Sequence, residues 1–162
     1  MGRHFSLPFL VALLSLPLAA CSTAFEDALI DGGPEYSQFA SHQANLRDRA
    51  KAAFRQNDFA GAERTFRAAL AKDPLDAEAW LGFAAASDRL GRFDAADKAY
   101  AQVIAIVGRR GEVVNNMGWS QWLRGNREAA KLLFAEALTL SPGNPVIAAN
   151  ASAQTKGSTT QG

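Results

Sequence analysis

Between residues 77 and 107 the apolar side chains return every three or four positions, pause, and return again. Trp80, Phe83, Ala84 and Ser87 recur at i, i+3, i+4 and i+7, and Phe93, Ala96, Tyr100, Val103, Ile104 and Val107 fall on one stripe. This predicts two amphipathic helices, roughly Ala77 to Leu90 and Phe93 to Val107, joined at Gly91, a residue that tolerates a left-handed turn. The pattern recurs on shifting by 34 residues either way: Asn57, Gly91 and Gly125 stand in register, as do Ala62, Ala96 and Ala130, Phe66, Tyr100 and Phe134, and Leu70, Ile104 and Leu138. Pro74, Gly108 and Pro142 close the three units. Each helix has one apolar face and needs a partner to cover it. The small residues Ala50 with Ala62, Ala84 with Ala96, and Gly118 with Ala130 fall where the two helices of a unit should cross most closely. Phe66, Tyr100 and Phe134 are then the bulky plugs between neighbouring hairpins, which one hairpin cannot bury alone.

A period of this length with small, aromatic and helix-breaking residues at constant offsets strongly resembles the tetratricopeptide repeat (TPR). The resemblance implies an all-α helix-turn-helix solenoid of about three repeats, at 43–76, 77–110 and 111–144. In the first repeat Arg49 and Ala53 stand where the family usually has leucine and an aromatic, while its second helix, Phe59 to Lys72, matches. Terminal repeats are expected to be atypical, since one face meets solvent or a cap. Asn144-Pro145 makes a good helix start, the Asn as cap and the Pro at the first helical position, so a short closing helix is expected over 145–153. The polar Gly, Ser and Thr tail, 154–162, is expected to be disordered.

The first 20 residues change the picture of where such a domain would work. Arg3 precedes an apolar run, Phe5 to Leu18, that contains Pro8 and Pro17 and is too short to span a membrane, so it reads as an export signal. Its end, Leu18-Ala19-Ala20-Cys21, resembles the lipobox of bacterial lipoproteins, which implies that Cys21 becomes the acylated first residue of the mature chain. The alternative is an ordinary secretory peptide cleaved near Ala20, which would leave Cys21 as a lone thiol in an oxidising compartment. Several acyl chains anchor stably where one binds only marginally. Ser22 is non-acidic, and in lipoproteins of this kind that implies sorting to the outer membrane, facing the periplasm. Residues 21–42 carry Gly32-Gly33-Pro34 and read as a lipidated tether. The cluster Phe25, Ala28, Leu29 and Ile30 could instead dock on the first repeat as a short capping helix.

With 162 residues, 48% hydrophobic and 20% charged, the chain suits one domain with a modest core. The net charge is +1, and without Arg3 the counts are even at 16 and 16, so no nucleic-acid partner is implied. Beyond the signal the only histidine is His42 and the only cysteine is Cys21, so neither a Cys-His pair nor a zinc site can be assembled. Phosphate-cradling glycine loops and Gly-x-Ser-x-Gly elbows are absent. Asp94 and Asp97 fall on the outward side of an amphipathic helix and read as a solvated face, and His42 reads as tether. An enzyme is therefore not expected, nor a cofactor or metal.

Lipobox, tether, repeats, the run Asn115-Asn116-Met117-Gly118 and Pro145-Val146-Ile147-Ala148-Ala149-Asn150 together resemble the TadD family, TPR lipoproteins of the tight-adherence (Flp) pilus apparatus. That implies a scaffold helping to assemble or localise pilus or secretin components of the cell envelope, tied to the membrane through Cys21. Another TPR envelope lipoprotein, such as a type IV pilus pilotin or a scaffold for envelope enzymes, fits the same features. In TPR proteins first-helix positions 2, 5, 9, 12 and 13 line the partner-binding groove. Here these are Arg47, Lys51, Phe54 and Arg55, then Glu78, Leu81, Ala85, Asp88 and Arg89, then Glu112, Asn115, Trp119, Trp122 and Leu123. Basic charge gathers at one end and aromatic surface at the other. Trp119 and Trp122 are candidate anchors for an extended or helical partner segment, unless one of them packs under the closing helix. Asn115 is a candidate to pair with a bound backbone. Gly82 and Glu112 occupy places where the family's carboxylate clamp wants Asn and Lys, so a carboxylate-ended peptide is not expected.

Overall fold

The computed structural model describes residues 34–156. The signal, Cys21, the apolar cluster at 25–30 and the tail beyond 156 lie outside the described residues. The chain divides between Gln38 and Phe39 into two units, and the second, Phe39–Gly162, holds the repeats. The described helices are α1 (Pro34–Arg55), α2 (Phe59–Leu70), α3 (Ala77–Arg89), α4 (Phe93–Val107), α5 (Gly111–Leu123), α6 (Arg127–Leu140) and α7 (Pro145–Lys156). No described helix is long and apolar enough to cross a membrane.

The second helices begin at 59, 93 and 127 and the first helices at 77, 111 and 145, so the 34-residue spacing of the sequence is the spacing of the helices. α7 therefore stands where the first helix of a fourth hairpin would stand. α1 does not follow the spacing: it begins at Pro34, nine residues ahead of position 43, where the repeat text starts. Proline costs a first helical position nothing, because the missing N–H has no partner there, and Glu35 complements the helix dipole. Residues 34–42, read above as tether, are thus helical. α7 likewise runs to Lys156, three residues past its expected end.

Each hairpin turns through a left-handed residue at the same repeat position, with φ of 61° at Asn57, 71° at Gly91 and 83° at Gly125. Where a helix starts, a side chain takes up orphan N–H groups: Asp58 accepts from Gly61, Asp76 from Ala79, and Asn144 from Val146 and Ile147. α3 packs on α2, α4 and α5, and α5 packs on α3, α4, α6 and α7.

The crossings are built from the small residues. Ala50, Ala62, Ala84, Ala96 and Ala130 are fully buried, and a Cβ at Gly118 would come within 2.9 Å of the Phe134 ring. Phe66, Tyr100 and Phe134 are the buried plugs, with 2%, 3% and 0% of their surface exposed. Phe66 packs in one apolar cluster with Leu46, Ala50, Phe83 and Tyr100, and Val114, Ala137 and Ile147 form a second under α7.

A trough across the first helices and its comparison with known folds

α1, α3 and α5 turn one row of side chains outward, and that row floors two depressions of about 410 and 320 Å³. The larger is lined by Phe54, Ala85, Asp88, Arg89, Tyr100, Asn116, Trp119 and Leu123. The smaller is lined by Lys51, Phe54, Arg55, Phe66, Glu78, Leu81, Gly82, Ala85 and Asn116. Phe54, Ala85 and Asn116 belong to both, so the two form one trough running from the first repeat to the third.

Within it the sequence-predicted residues divide. At the first-repeat end Arg47 donates to Asp76 at 3.1 Å and lies 3.6 Å from Glu78, and Lys51 pairs with Glu78. These cations are already neutralised by the acids at the start of α3 and serve to join α1 to it. Arg55 is exposed, and Arg89 lies over the Phe59 ring at 4.1 Å. Trp119 is 37% exposed and edge-on to both Phe134 and Trp122, so it is anchored from below with its outer edge in the trough. Trp122 is half-buried under the Arg127 guanidinium, 3.3 Å from the ring centroid, and lines neither depression. Asn115 is 8% exposed, and its carbonyl accepts from Asn150 of α7 at 2.9 Å. It ties the last helix to the array rather than offering its carbonyl to the trough.

Three wall residues were not singled out for this in the sequence: Asp88 as a buried acid, Tyr100 and Asn116. Asp88 is 4% exposed and receives hydrogen bonds from Ser120 (2.7 Å) and Tyr100 (2.8 Å), with Arg124 4.0 Å away. Burial pushes its carboxyl above the ordinary range, against those hydrogen bonds and the Arg124 charge. Burial and the nearby Asp88 in turn push the Tyr100 hydroxyl up. The signals were in register: an acid where the neighbouring repeats carry Phe54 and Trp122, and a tyrosine where they carry Phe66 and Phe134. Asp97, read as solvated, accepts from Arg124 at 2.9 Å. What the trough offers is apolar floor, aromatic edge and guanidinium rim.

Helical hairpins in a fixed register, crossing on small residues and plugged by aromatics, have a known counterpart. The tetratricopeptide-repeat family profile matches residues 53–113. This is a tetratricopeptide-repeat fold. The TPR domain of OM64 from Arabidopsis is similar, with a TM-score of 0.59 at 18% identity, over 72% of this chain and 96% of that one. So is the Yersinia enterocolitica type III secretion translocator chaperone SycD, with a TM-score of 0.62 at 16% identity over 74% and 96%. The second TPR domain of human RPAP3, solved with an HSP70 peptide, has a TM-score of 0.58 at 23% identity over 71% and 97%. No curated protein sequence matches the chain. TPR folds are protein-interaction scaffolds.

Proposed function

We propose that this chain is a non-enzymatic, lipid-anchored TPR scaffold of the bacterial cell envelope, which holds a protein partner in the trough and helps assemble or localise a pilus or secretion apparatus, as TadD lipoproteins do. The observation that carries the binding part is the continuous apolar trough across three first helices, with Trp119 held half out of it by Phe134. Structural neighbours support it: SycD has been solved with a peptide of the translocator YopD, and RPAP3 with a chaperone peptide. The envelope part is supported by the apolar leader ending in Leu18-Ala19-Ala20-Cys21 and by Ser22. On this reading Cys21 is acylated and the repeats face the periplasm from the outer membrane.

Two measurements test it. Intact mass and membrane fractionation of wild type and Cys21→Ser should show a lipidated, membrane-bound chain and a released one; an unmodified wild-type mass removes the anchor. Crosslinking in native membranes from position 119 should capture pilus or secretin components, and capture of envelope enzymes instead would move the scaffold to another apparatus.

A further inference from the structure

Several cations of the repeats are matched within the chain. Arg47 and Lys51 face Asp76 and Glu78, Arg92 pairs with Glu63, Arg109 with Glu136, and Arg124 with Asp97. Arg55 and Arg89 differ: neither has a carboxylate in ion-pair range among the described residues, and both line the trough. They occupy one repeat position, 34 residues apart, and the third residue of that row is Leu123, 44% exposed. A last-turn arginine suits the helix dipole. The leucine shows that the position does not demand one. Asn116, which lines both depressions, has no side-chain partner among the described residues, so its amide is free to donate and accept.

Resting on the scaffold reading, we infer that the trough takes an extended segment of a partner protein in which two acidic side chains are followed at equal spacing by a large apolar one. The acids meet Arg55 and Arg89, and the apolar residue meets Leu123 and Trp119. Packed helices lie about 8–10 Å apart. In a polyproline-II-like extended chain, with three residues per turn at ~3.1 Å each, every third side chain returns to the same face after about 9 Å, which gives the order acid-x-x-acid-x-x-apolar. The backbone of an extended segment has N–H and C=O groups to spare for Asn116, which a helical segment has already used internally. The carboxylates belong to internal side chains; no chain terminus is needed, unlike in the carboxylate clamp, whose Asn and Lys places hold Gly82 and Glu112 here.

The test uses the full chain and fluorescently labelled synthetic peptides of about sixteen residues, read by anisotropy. One set carries Glu-x-x-Glu-x-x-Leu, a second has Lys for both Glu, a third has Ser for Leu, and a fourth is a helix-favouring peptide with the same side chains seven apart. The first set should bind about tenfold tighter than the second and third, and should weaken with added salt. Arg55→Glu with Arg89→Glu should invert the preference between acidic and basic peptides. If loss of the Phe59 contact unfolds that pair, Arg55→Glu alone, at an exposed position, should still weaken the acidic peptide severalfold. Equal binding of acidic and basic peptides, or no effect of Arg55→Glu, overturns the charge assignment; tighter binding of the helical peptide overturns the extended form; no binding of any set overturns the inference. The scaffold reading fails separately. It stands if apolar peptides bind without regard to charge and Trp119→Ala abolishes that binding, and it falls if membrane crosslinking from position 119 also finds no neighbour.

Discussion

Gly82→Ala is the sharpest probe of the packing, because a methyl group there has a rigid neighbour. A Cβ on Gly82 would lie 2.2, 2.5 and 2.6 Å from three carbons of the Phe66 ring, against an ordinary carbon contact of about 3.5–4.0 Å. The ring would have to retreat by more than ~1 Å, and it is a buried plug with the fully buried Ala50, Ala62 and Ala84 in its own cluster. Overpacking of this kind costs about 1–3 kcal/mol, while replacing glycine in a helix interior returns about 1 kcal/mol. The net expectation is a loss of up to ~2 kcal/mol, several degrees in Tm for a domain of this size. Gly118→Ala is the control: its Cβ would meet Phe134 at 2.9, 3.0 and 3.2 Å, so a shift of about half an ångström relieves it and the two effects nearly cancel. Urea unfolding followed by helical circular dichroism gives both numbers. Gly82→Ala as stable as wild type, with Gly118→Ala destabilised, would refute the placement of Phe66 under the second repeat.

Tyr100→Phe removes the donor to Asp88 at 2.8 Å and should destabilise by about 1–3 kcal/mol, since the buried carboxylate loses a partner; unchanged urea unfolding would mean the hydroxyl is not spent on Asp88. Asp88→Asn tests the sign of the titration. The folded carboxyl is raised, so between the unfolded value of about 3.9 and the folded one the native state holds the extra proton, and stability falls as pH rises through that window. The stability of Asp88→Asn relative to wild type should therefore increase from pH ~4 towards neutrality, and a decrease would reverse the assignment.

The repeat register was legible because it rests on residues whose burial is forced locally: an alanine at a crossing and an aromatic between hairpins leave little choice. The start of α1 was not, because Gly32-Gly33-Pro34 is equally good text for a linker and for the entry to a helix whose first position is proline. In the site, the row of first-helix residues was legible from the period alone. Whether each member was free was not, since that depends on contacts the period does not specify. Asn115 is tied down by Asn150, 35 residues on, and Arg47 by Asp76, 29 residues on. Asn116 was passed over because its neighbour Asn115 holds the conventional groove position, and only the turn of α5 in the structure decides between them.

The ion pairs between successive repeats also fix their order. Arg47 and Lys51 of the first repeat meet Asp76 and Glu78, whereas the residues one period further on from Asp76 and Glu78 are Arg110 and Glu112. A third unit cut to include its helix cap, 110–143, placed after a first unit cut before Asp76 would set Arg47 against Arg110, cation against cation. At the same junction Glu63 meets Arg92, whose counterpart in the third repeat is the uncharged Asn126. The three units share a shape but not a charge pattern, so their joints are not interchangeable. Shuffled or duplicated versions of this array would carry mismatched joints even with every alanine and aromatic in place.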